Sequence, residues 1–128
     1  MLTNNLDQLR KASREGYAIP AINTQGGNYD IIMGICKAAE ELKSPIILAH
    51  YVSTGAFSGH DWFVNVAKWC AGKVSVPVSI HLDHGDGFPI CMEVLRLGFT
   101  SVMIDGSTRP IEENAGLTQS VVNVAKYF

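Results

Sequence analysis

Residues 76–85 read VPVSIHLDHG, an alternating apolar run that ends in a polar segment. Side chains alternate between the two faces of a strand, so Val78, Ile80 and Leu82 would share one face. We expect that face to lie under helices. Asp83 would fall on the opposite face. The stretch therefore predicts a buried strand whose carboxyl end carries ionisable groups.

Three more short apolar runs lie at 17–22, 45–49 and 101–104. Segments with helical spacing lie between and after the runs, at 29–43, 60–72, 89–97 and 110–127. Strand–helix alternation at roughly 25–30 residues per unit is typical of βαβ units and a parallel sheet. No dinucleotide-binding glycine motif or P-loop follows a strand, whereas an eight-unit barrel of about 250 residues is a common alternative. The residues alone therefore predict an α/β fold with a parallel sheet and leave its type open. If it is a (β/α)₈ TIM barrel, this chain supplies about the first four βα units.

Composition excludes several classes of function. The chain has 128 residues and a net charge of −2, and its lysines and arginines are scattered. It therefore lacks the basic patch that nucleic acid requires. No apolar run approaches the roughly 20 residues of a membrane span. Residues 1–16 are typical of an amphipathic helix and not of a signal peptide. We expect a cytoplasmic protein without nucleic-acid or membrane partners.

Polar residues follow each predicted strand, where catalytic groups of parallel α/β proteins gather. They are Asn23, Thr24 and Gln25 after the first strand, His50, Tyr51 and Ser53 after the second, His81, Asp83, His84 and Asp86 around the third, and Asp105, Ser107 and Thr108 after the fourth. The sequence therefore predicts a site at this end of the sheet.

Two of these carboxylates carry the strongest signal. Asp83 and Asp105 would lie on the same face of neighbouring strands, which are about 4.8 Å apart. They would repel each other unless they share a cation or a proton, and a divalent metal at His84 would relieve the repulsion. The residues alone leave a structural interpretation open, since zinc needs three or four ligands. Asp86 could simply cap the next helix, and Thr108 is the candidate N-cap of the last.

Four segments carry a further signal. They are PAIN at 20–23, AAEELKSPIIL at 38–48, VPVSIHLDHG at 76–85 and GFTSVMIDGSTRPIEEN at 98–114. In order and spacing they resemble the class II, metal-dependent fructose-bisphosphate and tagatose-bisphosphate aldolase family. The resemblance implies that residues 1–128 are the incomplete N-terminal half of a single TIM-barrel aldolase domain.

The same resemblance implies a carbon–carbon lyase of carbohydrate metabolism and glycolysis. It would cleave a ketose bisphosphate, similar to fructose or tagatose bisphosphate, to dihydroxyacetone phosphate and an aldehyde, with Zn²⁺ polarising the ketone. By position, His84 resembles the first zinc ligand, Asp105 the aspartate that holds a second cation, and Asp83 the acid/base group. The substrate-binding positions would be Asn23, Ser53 and Ser107. His81 would be structural or support the ligands.

The loop after the second strand departs from the family pattern. It reads AHYVSTGAFSG (49–59), with Tyr51 near the family's usual serine or threonine. This favours, as one alternative, a family member that acts on a different ketose phosphate. The family's other two zinc-binding histidines belong to the second half of the barrel. A second alternative is therefore a truncated half-barrel without aldolase activity that self-associates through its open sheet edge. As partners we expect a phosphorylated sugar and further copies of the chain, as a dimer or tetramer.

Overall fold

A computed structural model describes residues 1–128 and contains one sheet of four parallel strands in the order β1-β2-β3-β4. The strands are β1 (Ala21–Asn23), β2 (Ile46–Tyr51), β3 (Val78–Gly85) and β4 (Ser101–Ile104). The helices are α1 (Leu6–Glu15), α2 (Tyr29–Glu41), α3 (Val52–Ser58), α4 (His60–Ala71), α5 (Phe88–Leu97) and α6 (Ile111–Ala125). No helix combines the length and the apolar character needed to cross a bilayer.

The four predicted βα units are confirmed, and the differences lie at their ends. β1 is shorter than the predicted 17–22, because Pro20 has no N–H and only its carbonyl joins the ladder, accepting from Ile47 at 3.1 Å. β3 is longer and runs through Gly85. The polar residues His81, Asp83 and His84 therefore lie within the strand and not after it.

Helix α3 was not predicted. Its seven residues have no apolar stripe, and its start depends on a local contact in which the Thr54 hydroxyl donates to the Tyr51 carbonyl at 2.8 Å. Because α3 begins directly after β2, the chain turns away from the sheet at Tyr51. This turn decides where the second-strand loop places its polar groups.

Two predicted helix caps are wrong. The N-cap of α5 is Gly87, with no side-chain cap bond, so Asp86 does not cap that helix. The N-cap of α6 is Pro110, which leaves Thr108 outside the helix. In both places the strand or turn before the helix extends further than expected. Other end signals of α5 are confirmed, with a proline in its first turn and Gly98 at its C-terminus in the left-handed conformation (φ 99°).

The core lies between the sheet and helices α2, α4 and α5. Register pairs Leu48 with Ile80 on the helix-facing side of the sheet. Both are fully buried, as are Ile32 of α2, Phe63 of α4 and Val94 of α5. Burial of each such side chain contributes about 1.5–3 kcal/mol. The opposite side of the sheet is therefore free to present polar groups.

Candidate functional site

The sheet face away from the helices carries the polar strand ends. Register places Asn23 beside Ala49, and Tyr51 beside Asp83. On β4, Ser101 pairs with His81 on the same face. These residues alternate with the buried ones of the opposite face, as the alternation in the sequence predicted. We call this surface the open face of the sheet.

Strand β3 contains a bulge at its carboxyl end. Leu82 pairs with Val102 and Gly85 with Ile104, so β3 holds one residue more than β4 between these pairs. Within the bulge His84 has a φ of 53°, which side-chain-bearing residues rarely adopt. Gly85 allows the close approach, since a Cβ there would lie 2.7 Å from the Met103 carbonyl oxygen. Bulges re-aim side chains and are common beside active sites.

The bulge directs His84 toward the end of β4. Its Nδ1 lies 2.6 Å from Oδ2 of Asp105, and the other carboxylate oxygen of Asp105 accepts from the Ser107 N–H at 2.9 Å. The His84 side chain is about half exposed. Asp105, in the loop after β4, thus links that loop to the carboxyl end of β3 through its hydrogen bond with His84.

The pair is electrostatically coupled. The hydrogen bond to Asp105, with a contribution from the charge of Asp83, raises the pKa of His84. Hydrogen bonds from Ser107 and then from His84 hold the pKa of the Asp105 carboxyl well below its usual range. Asp105 is therefore ionised at neutral pH. An Nδ1–H that donates to this carboxylate leaves Nε2 of a neutral His84 with its lone pair.

A cleft of about 320 Å³ surrounds this pair. Its remaining walls are Tyr51, Asp86, Ser107, Thr108 and Arg109. The structure thus brings together His84, Asp105 and Ser107 of the sequence-predicted residues. The sequence shows Tyr51 only as one of the polar residues after the second strand and as a departure from the family pattern. The alternation of side chains along β2 puts Tyr51 on the same face as Ala49, which is also the face of Asp83.

Three other sequence-predicted residues lie outside the lining of this cleft. Asp83 lies on the open face, beside Tyr51 in the register of β2 and β3. Ser53, on α3, lines a separate cleft of about 640 Å³ together with Gln25, Trp62 and residues near them. Asn23 lies on the open face, and its side-chain oxygen accepts from the Gln25 N–H at 3.0 Å. Ser53 lies apart from His84 because the turn into α3 carries it toward the loop after β1.

The other two strand histidines, His81 and His50, contact residues outside the cleft of His84. His81 Nδ1 lies 2.8 Å from the Ser101 hydroxyl, which also accepts from Asn5 of the segment before α1. Burial lowers the pKa of His81. His50 lies on the helix-facing side, where its Nε2 is 3.1 Å from Nδ1 of His60. Burial, with the nearby His60, lowers the pKa of His50 to about 4. Neither His81 nor His50 shares the cleft of His84.

The donor set of the cleft is incomplete for a metal. No group of three or more histidine, cysteine, aspartate or glutamate side chains within the 128 residues could hold an ion. His84 and Asp105 supply two donors, whereas a structural or catalytic zinc ion takes three or four protein ligands. The residues present fit part of a metal site that takes further ligands from elsewhere.

Comparison with known proteins decides the family. Residues 3–128 match the model of the family described as fructose-bisphosphate aldolase class-II. The chain belongs to this class II aldolase family. It is 44% identical over 126 residues to the fructose-bisphosphate aldolase of Thermus caldophilus, covering 98% of this chain and 40% of that protein. It is 41% identical to the probable fructose-bisphosphate aldolase of Bacillus subtilis, covering 98% and 45%.

Solved structures of aldolases give the same result. The YdjI aldolase from Escherichia coli K12 superposes with a TM-score of 0.89 at 32% identity, over 96% of this chain and 47% of that one. A putative fructose-1,6-bisphosphate aldolase from Coccidioides immitis gives a TM-score of 0.86 at 31% identity, over 98% and 43%. The TIM-barrel prediction is therefore confirmed, with four βα units here. The chain spans less than half the length of these relatives.

Proposed function

We propose that residues 1–128 form the N-terminal half of a single class II aldolase TIM-barrel domain. The complete domain would cleave a ketose bisphosphate, similar to fructose or tagatose bisphosphate, to dihydroxyacetone phosphate and an aldehyde. Family membership over residues 3–128 supports the reaction class. The observation that carries the site is the 2.6 Å contact between His84 and Asp105 at the carboxyl end of β3.

His84 would be the ligand that this half of the barrel gives to a divalent metal. Histidine ligands commonly donate their second ring N–H to a carboxylate, which fixes the tautomer and the ring orientation. Asp105 is placed to do this for Nδ1, so Nε2 would face the metal. The remaining lone pairs of Asp105 could hold a second cation. When bound, Zn²⁺ supplies Lewis-acid polarisation of the substrate ketone. Its other protein ligands would come from the second half of the barrel.

Asp83 would be the acid/base group. It lies on the open face beside Tyr51, is half-buried, and forms no side-chain hydrogen bond within the chain. Both carboxylate oxygens are thus free to exchange a proton with the substrate hydroxyl at the bond that breaks. Ser107 would bind substrate within the cleft of His84. The separate placement of Ser53 and Asn23 means that they could contact only a more distant part of the substrate.

An aldol-cleavage assay over several ketose phosphates tests this proposal. It uses the complete enzyme, with both halves of the barrel. Cleavage of a ketose bisphosphate should be lost after thorough chelation and return when Zn²⁺ is added. Cleavage that survives chelation would remove the metal mechanism. If no ketose phosphate is cleaved, the assigned reaction class is wrong.

A different ketose phosphate is a second candidate substrate, favoured by two residues of the cleft. Tyr51 adds an aromatic ring to the lining of the cleft, and Arg109 adds a cation. The nearest carboxylate partner of Arg109 is the exposed Glu113 at 3.8 Å, an ion pair that contributes little. Arg109 would therefore be available to an anionic group of the substrate. Relative kcat/KM values across the substrate panel separate the two candidates.

Self-association of the half-barrel without aldolase activity is the remaining alternative. A largely apolar groove of about 630 Å³ lies beside β4, lined by Leu95, Phe99, Val102 and Val121 among others. In the complete barrel the next βα unit would pack here, whereas a second copy of the chain would fill it in a self-associated half-barrel. Light scattering on the 128-residue chain tests for the second copy. A stable monomer would exclude the self-associated half-barrel. For the complete enzyme we propose a dimer or tetramer.

A further inference from the structure

Tyr51 has a defined place at the carboxyl end of β2. It is the last residue of that strand and pairs in register with Asp83 of β3. Its carbonyl accepts the Thr54 hydroxyl at 2.8 Å, which ties it to the first turn of α3. The backbone of Tyr51 is thus held on both sides, and its side chain projects on the open face.

The ring of Tyr51 meets the ring of His84 edge to face. The ring centroids are 5.9 Å apart and the ring planes are perpendicular. Aromatic pairs prefer this geometry, because the positive edge of one ring meets the negative face of the other. Tyr51 and His84 belong to neighbouring strands, so the contact also links β2 to the bulge of β3.

We propose that Tyr51 is a positioning residue for His84, one that holds the imidazole in the plane in which its Nε2 can bind a divalent metal. This inference rests on the function proposed above. The hydrogen bond that His84 Nδ1–H donates to Asp105 restrains only that nitrogen, so the ring can still rotate about this contact. Since the His84 side chain is about half exposed, few other groups restrain this rotation. Tyr51 supplies the second restraint, through its ring and not through its hydroxyl.

The size of the effect follows from the contact. In addition to the effect of the apolar area it buries, an edge-to-face aromatic pair can shift a binding equilibrium by roughly 3- to 10-fold. Loss of the Tyr51 ring should therefore weaken Zn²⁺ binding by about that factor. Mutations of groups that hydrogen-bond to a metal ligand typically weaken metal binding or activity by about 10- to 100-fold, so the effect expected for Tyr51 lies below that range and meets only its lower limit.

Three variants of the full chain test the proposal: Tyr51→Ala, Tyr51→Phe and Tyr17→Ala. Tyr17 is a matched control because both tyrosines are 40% exposed and Tyr17 follows α1, outside the cleft. The readouts are the Zn²⁺ dissociation constant, from competition with a chromophoric chelator, and kcat and KM at saturating Zn²⁺. Tyr51→Ala should weaken Zn²⁺ binding about 3- to 10-fold and lower kcat more than it raises KM. Tyr51→Phe, which keeps the ring, and Tyr17→Ala, which lies outside the cleft, should each keep the Zn²⁺ dissociation constant within about twofold of that of the wild type.

Two results would overturn the proposal. One is a Tyr51→Ala protein that binds Zn²⁺ as tightly as Tyr17→Ala. The other is a Tyr51→Phe protein as impaired as Tyr51→Ala, which would assign the effect to the hydroxyl. His84→Ala separates this failure from that of the proposed function. If His84→Ala binds Zn²⁺ like the wild type, the metal site is wrong and the role of Tyr51 is wrong with it. If His84→Ala loses Zn²⁺ and Tyr51→Ala does not, only the role of Tyr51 is wrong.

Discussion

Replacement of Gly55 by alanine should destabilise the protein, although alanine is the better helix former. Gly55 is buried in α3 and faces the contact between His50 and His60. A Cβ at this position would overlap Cε1 and Nδ1 of His60 and lie 2.5 Å from Nε2 of His50. One ring must move, and His60 is the less buried of the two.

The cost can be estimated from the contact that breaks. If His60 turns away, Nε2 of His50 loses its partner, and His50 Nδ1 already has none. An unpartnered buried polar atom costs about 1–3 kcal/mol, and overpacking without movement costs a similar amount. The higher helix propensity of alanine offsets about 0.5–1 kcal/mol. The free energy of unfolding of Gly55→Ala should therefore fall by about 1 kcal/mol, within a range of roughly 0–2.5 kcal/mol.

Urea denaturation measures this difference, with Gly116→Ala as the control. Gly116 lies in α6, and nothing would come within 4 Å of an added Cβ. That variant should gain about 0.5–1 kcal/mol from helix propensity alone. If Gly55→Ala is as stable as Gly116→Ala, the tight packing of α3 against the histidine pair is refuted.

Two further predictions concern stability. The Asn28 side chain caps α2 by accepting from the Ile31 N–H at 3.1 Å, so Asn28→Ala should cost about 1 kcal/mol in urea denaturation while Asn28→Ser stays close to the wild type. Burial lowers the pKa of His50 from 6.5 to about 4, so below pH 6.5 the unfolded chain binds more protons than the folded one. Stability from this group is complete above pH 6.5 and is lost as pH falls toward 4. Between pH 7 and pH 5 the wild type should lose about 2 kcal/mol more than His50→Leu, and an equal loss in both proteins would contradict the buried, neutral state of His50.

The sequence was informative wherever a residue pattern repeats along the chain. Apolar alternation located the strands, and helical spacing located α2, α4, α5 and α6. Side-chain parity also placed Asp83 on the open face. These features depend on which face of an element is buried, and the sequence records that directly.

Features that depend on pairing between elements could not be predicted in the same way. The bulge at His84 exists because β3 holds one residue more than β4, and neither strand reveals this alone. Helix α3 is too short to carry a periodic pattern, so Ser53 was expected nearer to His84 than it lies. The sequence does not reveal the contact between Tyr51 and His84, because that contact depends on both the register of β2 with β3 and the bulge.

The most direct test of the proposed site compares Asp83→Ala with His84→Ala in the full chain, measuring bound zinc and turnover on the same samples. If Asp83 transfers a proton and His84 binds the metal, Asp83→Ala should lower turnover by about 10²- to 10⁴-fold while its zinc content stays near that of the wild type. His84→Ala should lose zinc first, and its activity with it. Full activity in both variants, or zinc lost from Asp83→Ala and retained in His84→Ala, would contradict the assignment.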